Sequence, residues 1–173
     1  MSSKQSQINV IFYLAFLNGL TAFGVDASLP AFDEIGPDIG LLDGSSRISL
    51  IITIYIIGVA IGQIICGPFV DRFGRGSTLR FGLGLYMAGA LGSLLSQNLL
   101  SMLIFRLLWG LGSSFPASMR TTIARDIYSG DEMAKVMSKI MAVFLLGPII
   151  TPLISEAFLS FTSWRFVYSL GIL

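Results

Sequence analysis

The chain has 173 residues, of which 54% are hydrophobic and only 12% are charged. A soluble globular domain carries about 25% charged residues, so this composition argues against a water-exposed fold and favours one whose surface faces lipid. The net charge of +1 excludes a bulk electrostatic field that would attract nucleic acid.

The sequence contains no histidine and a single cysteine, Cys66. Histidine is the commonest general base and the commonest metal ligand, and a lone cysteine cannot form an internal disulfide. We therefore expect no enzyme activity, no metal site and no cofactor. Because Cys66 lies in an apolar run, we interpret it as a buried, inert thiol.

Five apolar stretches are long enough, or nearly so, to cross the hydrocarbon core, which takes roughly 20 residues. They cover residues 8–29, 48–70, 79–95, 99–119 and 136–161. The first is too long for the core of a secretory signal and no small-x-small cleavage site closes it, so we interpret it as a retained helix. A sixth stretch, 166–173, is too short to span, so we expect an incomplete sixth helix and a truncated product. The whole chain, 1–173, is thus predicted to be an all-α, polytopic transmembrane helix bundle.

The charges of the connections alternate along the chain. The first connection is acidic and holds Asp33, Glu34, Asp38 and Asp43, with Arg47 as its only basic residue. Lysine and arginine collect before the first helix and in the second and fourth connections. The positive-inside rule places those segments in the cytoplasm, so the sequence predicts a cytoplasmic N-terminus and an external first loop.

The first predicted helix carries one carboxylate, Asp26, in its outer third. At about 100° per residue, Asn18, Ala22 and Asp26 share one broad face. A carboxylate that faces the bundle could bind a proton or a cationic substrate, and Asn18 would line the same surface. The alternative is a helix-end carboxylate that reaches the outer interface. Glu156, near the outer end of the fifth helix, is interpreted as exposed at that interface.

The fourth predicted helix carries Arg106 between Phe105 and Leu107. An arginine at the centre of a membrane helix costs roughly 2.5–3.5 kcal/mol on insertion scales, and its guanidinium does not lose its proton. It must therefore pair with a carboxylate, with carbonyls or with trapped water. The alternative is that the side chain extends to the outer interface.

Small residues recur four positions apart in three predicted helices. The pairs are Gly58 with Gly62, Ala88 with Gly92, and Gly110 with Ser114. Such pairs let helix backbones approach closely in lipid, where packing drives association. We interpret them as packing surfaces; the alternative is that some of the glycines are hinges.

The connection between the second and third helices has the spacing Gly67-x-x-x-Asp71-Arg72-x-Gly74-Arg75. This spacing resembles the signature loop of the major facilitator superfamily, although Gly76 stands where a second basic residue is usual. Asp71 can accept charge-assisted hydrogen bonds from arginines or from a helix N-terminus, and Gly74 permits a turn. The resemblance implies a conformational clasp; the alternative is a basic loop that only sets topology.

Two further motifs resemble the same superfamily. Arg106 precedes Gly110 by four residues, as in the fourth-helix motif whose arginine is associated with proton coupling. Gly147-Pro148 resembles the core of the antiporter motif, from which Val143, Thr151 and Pro152 depart. Proline removes a helix hydrogen bond and kinks the helix, so Pro148 and Pro152 would shape the fifth helix, either by fixing its form or by enabling motion.

Four segments together resemble the bicyclomycin-resistance, or Bcr/CflA, drug efflux subfamily: 26–31, 124–131, 147–153 and 163–165. The resemblance covers nearly the whole chain and corresponds to the first six-helix half of a twelve-helix fold. It implies a proton-coupled efflux antiporter for small, apolar or cationic toxic compounds in the bacterial inner membrane. The expected partners are the lipid bilayer, a drug-like small molecule, protons and a C-terminal six-helix half. The alternative is a membrane module that does not transport.

Overall fold

The computed structural model describes residues 3–42 and 44–171, without the side chains of residues 3–9 and 143. Asp43 and the side chain of Val143 therefore lie outside the described residues. It contains seven α-helices and one 3-10 turn, and no strand occurs in the described ranges. In chain order these are α1 (Ser3–Asp26), α2 (Phe32–Asp38), the 3-10 turn (Ser46–Ser49), α3 (Leu50–Phe73), α4 (Arg75–Leu94), α5 (Leu99–Ile127), α6 (Gly130–Leu159) and α7 (Trp164–Leu170). The all-α prediction is confirmed.

Three described helical segments are long and apolar enough to span a membrane: Ser46–Phe73, Leu99–Ile127 and Gly130–Leu159. The segment Val10–Asp26 is apolar but shorter. α4 is 20 residues long, yet it does not reach the same apolarity, because it carries Arg75 and Arg80 together with many glycines.

The helix boundaries differ from the predicted ones at several ends. The first predicted helix ran to Leu29, whereas α1 ends at Asp26 and the chain then turns into α2. The fourth was expected to end at Met119 and the fifth to begin at Val136, whereas α5 continues to Ile127 and α6 begins at Gly130. Apolar length alone underestimated α5 and α6, because their polar ends continue past the hydrocarbon core.

The acidic first connection is partly helical, which the sequence analysis did not predict. α2 and the residues that cap it place Ala31, Ile35 and Ile39 on one side, where they are almost fully buried in the main core. Residues three and four apart are neighbours on a helix face, so this spacing suffices to bury one side of α2 and leave the acidic side exposed.

The centre of the bundle is built on close backbone contacts of α5 with α3 and α4. A Cβ at Gly58 of α3 would lie 3.0 Å from the backbone nitrogen of Leu111, and Gly110 abuts the carbonyl of Tyr55. On α4, Gly89 meets the backbone of Trp109 in the same way. The packing interpretation of the small-residue pairs therefore holds for Gly58, Gly62 and Gly110.

The pair Ala88 with Gly92 is only half correct. Ala88 is exposed, and the buried small residues of α4 are Gly82, Gly89, Ala90, Gly92 and Ser93. A four-residue spacing does not by itself identify which of two adjacent faces meets the neighbour, and here the packed face lies one residue away from Ala88.

The bundle has two ends, which we name by their features. The Gly74 end carries the turn between α3 and α4, and the α2 end carries α2 and the first turn of α7. Gly74 adopts φ = +76° and ψ = 166°, a backbone conformation that favours glycine. It caps the end of α3 and the start of α4, so a single residue connects these two helices.

Candidate functional site

Arg106 of α5 is fully buried, with a relative exposure of 0%. Its guanidinium donates to the carbonyl oxygen of Gly24 at 2.7 Å and to Ser28 Oγ at 2.5 Å, and it also contacts the hydroxyl of Tyr168. The side chain is therefore enclosed within the bundle and does not reach its surface. Arg106 instead joins α5 to the end of α1 and to α7.

The end of α1 is a favourable place for this cation. The last carbonyls of a helix lack partners within the helix, and the C-terminal end of the helix dipole is negative. Gly24 lies in the last turn of α1, which ends at Asp26. Arg106 therefore satisfies a carbonyl that would otherwise face an apolar surrounding.

Two aromatic rings complete the surroundings of Arg106. The guanidinium carbon lies 4.9 Å from the ring centre of Trp109 and 4.6 Å from that of Tyr168. The rings of Tyr55, Tyr86 and Tyr168 pack against Trp109 in edge-to-face geometry, with centroid distances of 6.1, 5.6 and 5.5 Å. A cation over an aromatic face gains electrostatic stabilisation, most when it is desolvated.

The predicted face of α1 is buried. Asn18, Ala22 and Asp26 have exposures of 2%, 8% and 9%. Asp26 therefore faces the bundle, and the alternative of a carboxylate at the interface does not describe this structure. Within the described residues Asp26 forms no ion pair with Arg106, whose contacts are a backbone carbonyl and hydroxyl groups. Arg106 and Asp26 are nonetheless near each other, because Gly24 and Ser28, which Arg106 contacts, flank Asp26 in the sequence.

The signature loop is arranged differently from the expectation. Arg75 forms an ion pair with Asp126 near the end of α5. Asp71 is exposed and has neither an ion pair nor a hydrogen bond within ranges 3–42 and 44–171. A helix side chain points toward the N-terminus of its own helix, so Arg75, the first residue of α4, projects toward the Gly74 end, where α5 also ends. Asp126 is thus the carboxylate partner that the sequence analysis missed.

The other loop residues are peripheral. Arg72 lies over the ring of Phe73 at 5.3 Å, and Gly67 is exposed with open space around its Cα. Thr78 Oγ1 donates to the carbonyl of Gly74 at 2.7 Å, which stabilises the turn from the α4 side.

Of the motif residues of α6, Gly147 faces α1. A Cβ at Gly147 would lie 3.3 Å from the Cβ of Ala22, so this glycine permits a close approach of the two helices. Pro148 is exposed and Pro152 half-buried, and α6 continues as a single helix through both. Glu156 is exposed, as expected.

A polar cluster at the α2 end was also missed. Asp38 Oδ2 accepts hydrogen bonds from Trp164 Nε1 at 2.9 Å and from Arg165 at 2.5 Å, and Glu34 Oε2 accepts from the backbone N–H of Trp164 at 3.2 Å. The hydrogen bonds from Trp164 and Arg165 hold the pKa of Asp38 below its usual value. No local signal reveals such a contact, because its partners lie more than a hundred residues apart.

An apolar groove of about 620 Å³ runs along α1 between α6 and α7. Phe12, Phe16 and Phe23 line it, and Lys139 is its only charged residue. It begins at Gly171, directly after the last turn of α7, and none of the predicted site residues lines it. We therefore place the candidate site at the contact of α1 with α5. In the described part of the chain, no cluster of three His, Cys, Asp or Glu residues could hold a metal ion.

Comparison with known proteins agrees with this architecture. The sequence model of the Major Facilitator Superfamily matches residues 11–173. The chain is 32% identical to a bicyclomycin resistance protein homolog of Haemophilus influenzae over 97% of this chain and 42% of that protein. It is 29% identical to a chloramphenicol resistance protein of Pseudomonas aeruginosa over 98% and 41% of the two chains. It is 22% identical to multidrug resistance protein D of Escherichia coli over 95% and 41%.

The chain thus spans about two-fifths of the length of these relatives. The match to the superfamily covers nearly the whole chain, including the Gly74 turn, Arg106 and both α6 prolines. The bicyclomycin-resistance relative also agrees with the narrower resemblance found in the sequence. This chain belongs to the major facilitator superfamily of membrane transporters.

Proposed function

We propose that this chain is the N-terminal half of a proton-coupled antiporter that exports small toxic compounds, acting within a longer twelve-helix protein. Transporters of this kind bind substrate near the membrane midplane between two halves. The relatives named for resistance to bicyclomycin, chloramphenicol and multiple drugs support export as the direction. Cationic or apolar drug-like molecules are the substrates that the resemblance implies.

One observation carries the proposal: the permanently charged Arg106 is fully buried beside the end of α1. Its partners Gly24 and Ser28 lie two residues before and two residues after the buried carboxylate Asp26. Ionisable groups inside a membrane protein are costly and mark ion or substrate pathways. We assign Asp26 as the group that binds a proton or a substrate, Arg106 as the fixed charge for coupling, and Asn18 as a lining residue. Protonation of Asp26 would change the charge balance around Arg106.

The Gly74 end is the proposed cytoplasmic end in the bacterial inner membrane. Arg72, Arg75 and Arg80 lie there, whereas Asp33, Glu34 and Asp38 lie at the α2 end, in the order that the positive-inside rule requires. In the proposed clasp, Arg75 holds α4 to α5 through Asp126, and Gly67, Asp71 and Arg72 present an exposed surface to the other half of the transporter.

The test is efflux and proton flux in the intact parent protein, reconstituted in vesicles. Asp26→Asn should abolish proton-coupled efflux, since the amide cannot take up a proton, and Arg106→Lys should reduce it strongly. Asp33→Asn, an exposed carboxylate in α2, is the matched control and should leave efflux unchanged. Full activity of Asp26→Asn would remove this residue from the proposed mechanism.

The second candidate is a module that does not transport alone, or one half of a split transporter that needs a partner. The apolar groove along α1 supports it, because helices associate in lipid through packing, and a second half could fill the space that this groove leaves beside α1. Vesicles that contain only this chain should then show no substrate-driven proton movement. Proton movement by the chain alone would contradict the need for a partner.

A further inference from the structure

The contact between α1 and α5 carries a second arginine, Arg120, to which the proposed function assigns no role. Two hydrogen bonds define this seam: Arg106 with the carbonyl of Gly24, and Thr21 Oγ1 with the carbonyl of Ser113 at 3.2 Å. Further along it, Leu14 and Ala124 belong to the same buried apolar cluster. On α5, Arg106 and Ser113 are seven residues apart, and Arg120 follows Ser113 by another seven. Residues seven apart lie on the same helix face. Arg120 therefore lies on the face of α5 that meets α1.

Asn18 lies at the same level of the seam. The two helices are antiparallel, and Asn18 falls between Thr21, which is bonded to Ser113, and Leu14, which shares a buried cluster with Ala124. Arg120 Nε donates to the carbonyl of Ala117 at 3.1 Å, so the guanidinium lies back along α5, between the levels of Ser113 and Ala124. The register thus places Asn18 and Arg120 at about the same level of the seam, on opposite helices.

Both groups carry a buried donor without a partner. Asn18 is 2% exposed, and its Nδ2 has no hydrogen-bond partner among the residues that the structure describes. The same holds for one terminal nitrogen of Arg120, whose side chain forms no ion pair in that part of the chain. A buried donor without an acceptor is costly, so two of them at one level indicate a place for an acceptor group.

The charge of the seam decides which acceptor fits. Arg120 can only donate, whereas the amide of Asn18 can donate or accept. Along the seam the two arginines, Arg106 and Arg120, face one carboxylate, Asp26. A positive excess in a sheltered place disfavours cations and favours an anionic oxygen, which forms charge-assisted hydrogen bonds with guanidinium.

We propose that Asn18 and Arg120 form a binding site for the carboxylate, or a similar anionic oxygen group, of a small apolar substrate. This inference rests on the proposed function and narrows its substrate class, away from the cationic compounds that the family resemblance implies. Asp26 and Arg106, at the α2 end of the seam, remain the coupling pair. Arg120 follows Arg106 by 14 residues, which is about 21 Å along the helix axis, so Arg120 lies well apart from the coupling pair. Asn18, a lining residue in the proposed function, lies between the backbone levels of the two arginines.

The test uses three probes with one apolar body and different head groups: naphthalene-2-carboxylate, naphthalene-2-carboxamide and 2-naphthylmethylammonium. Their binding to the purified full chain is measured by equilibrium dialysis in phosphatidylcholine nanodiscs, with empty nanodiscs as the blank. We expect the carboxylate to bind at least about tenfold more tightly than the ammonium, as a charge-assisted contact predicts. Arg120→Gln should weaken carboxylate binding about tenfold and carboxamide binding less than about threefold.

The matched control is Arg125→Gln, which removes an exposed arginine from another face of the same helix. It should leave all three affinities unchanged. Arg120→Lys keeps the charge but loses the second nitrogen, so its carboxylate affinity should be intermediate. Asn18→Leu should weaken binding of both the carboxylate and the carboxamide. If Arg120→Gln does not fold, as judged by circular dichroism, the Arg120→Lys and Asn18→Leu variants carry the test.

Three results would overturn the inference: equal or tighter binding of the ammonium, equal carboxylate affinity in Arg120→Gln and Arg125→Gln, or no probe binding above the blank. The anion site and the antiport proposal can fail separately. Carboxylate-selective binding without proton flux in the parent protein would contradict antiport alone. Proton-coupled export of cations only would contradict the anion site alone.

Discussion

At the scale of single residues, Arg106 shows what the sequence can and cannot predict. The sequence identifies a charged group that must find partners, because guanidinium keeps its proton in proteins. It does not identify Gly24, Ser28 or Tyr168 as those partners, since they come from α1, from the turn that follows it and from α7. The free-energy cost of burying a guanidinium can be inferred from its place in an apolar helix. The hydrogen bonds that offset this cost depend on how the helices pack.

The Arg106 contacts predict a difference between the two basic side chains. Arg106→Lys should lower the thermal unfolding temperature of the chain in detergent by several degrees, because a lysine cannot reach a carbonyl and two hydroxyls at once, and each lost charged hydrogen bond costs about 1.5–3 kcal/mol. Fluorescence-detected melting measures the shift. Arg72→Lys, an exposed substitution of the same kind, should leave the melting temperature unchanged; an equal shift in both variants would show that the buried contacts are not responsible.

A smaller change at the same site tests one contact alone. Tyr168→Phe keeps the ring beside Trp109 and Arg106 but removes the hydroxyl. We expect a loss of about 1 kcal/mol in the free energy of unfolding, smaller than the loss in Arg106→Lys. Tyr13→Phe, at an exposed position of α1, is the control. No measurable loss in Tyr168→Phe would mean that the guanidinium is satisfied without this hydroxyl.

At the scale of helices, small residues decide how closely α3, α4 and α5 pack. The sequence predicts that Gly58, Gly62 and Gly110 face neighbours, and the structure agrees. It predicts the wrong member on α4, where Gly89 and not Ala88 meets α5. Periodicity defines a broad face, but its centre depends on how each helix is rotated about its own axis.

This packing predicts opposite effects of one substitution at two glycines. Gly110→Ala places a methyl group against the carbonyl of Tyr55, so α3 and α5 must separate and the melting temperature should fall by several degrees. Gly84→Ala on α4 meets nothing within 4 Å and should be neutral, or stabilising by about 0.5–1 kcal/mol through helix propensity. A stable, fully packed Gly110→Ala protein would contradict the close contact.

The cluster between α2 and α7 predicts a dependence of stability on acid. Because hydrogen bonds from Trp164 and Arg165 lower the pKa of Asp38 in the folded chain, its stabilisation is complete above the unfolded pKa of about 3.9 and is lost as the pH falls through the lower folded pKa. The melting temperature should therefore drop below about pH 4, and less so in Asp38→Asn. The effect is small, since exposed ion pairs contribute about 0–1 kcal/mol. An Asp33→Asn control should follow the unmodified chain; identical acid curves for all three proteins would exclude a contribution from Asp38.

At the scale of the whole molecule, the sequence predicted the all-α class of fold, whereas three of the described helical segments are long and apolar enough to span a membrane. It missed α2 because the buried residues Ala31, Ile35 and Ile39 are too few to stand out in an acidic connection. The sequence prediction also ended α5 too early and began α6 too late. The length of an apolar stretch reports the part of a helix inside the hydrocarbon core and not the whole helix. The tertiary contacts of Asp126, Asp38 and Ser28 have no local signature and required the folded arrangement.

The orientation of the bundle gives a prediction for intact cells. In a Cys66→Ser background, a membrane-impermeant maleimide should label Leu42→Cys from outside, since this residue is 87% exposed near the α2 end. It should label Arg72→Cys, at the Gly74 end, only after the cells are broken. External labelling of Arg72→Cys would reverse the proposed topology and remove the transport account with it.

Trp109 packs against the guanidinium of Arg106, and the chain has only one other indole, that of Trp164. Replacing Trp164 by phenylalanine would leave a single indole, which can be excited apart from the tyrosines and is buried at the junction of α1, α5 and α7. Its emission wavelength would respond to the electric field of the neighbouring charge. The molecule thus contains its own optical probe of whether that charge stays in place while protons or substrates bind.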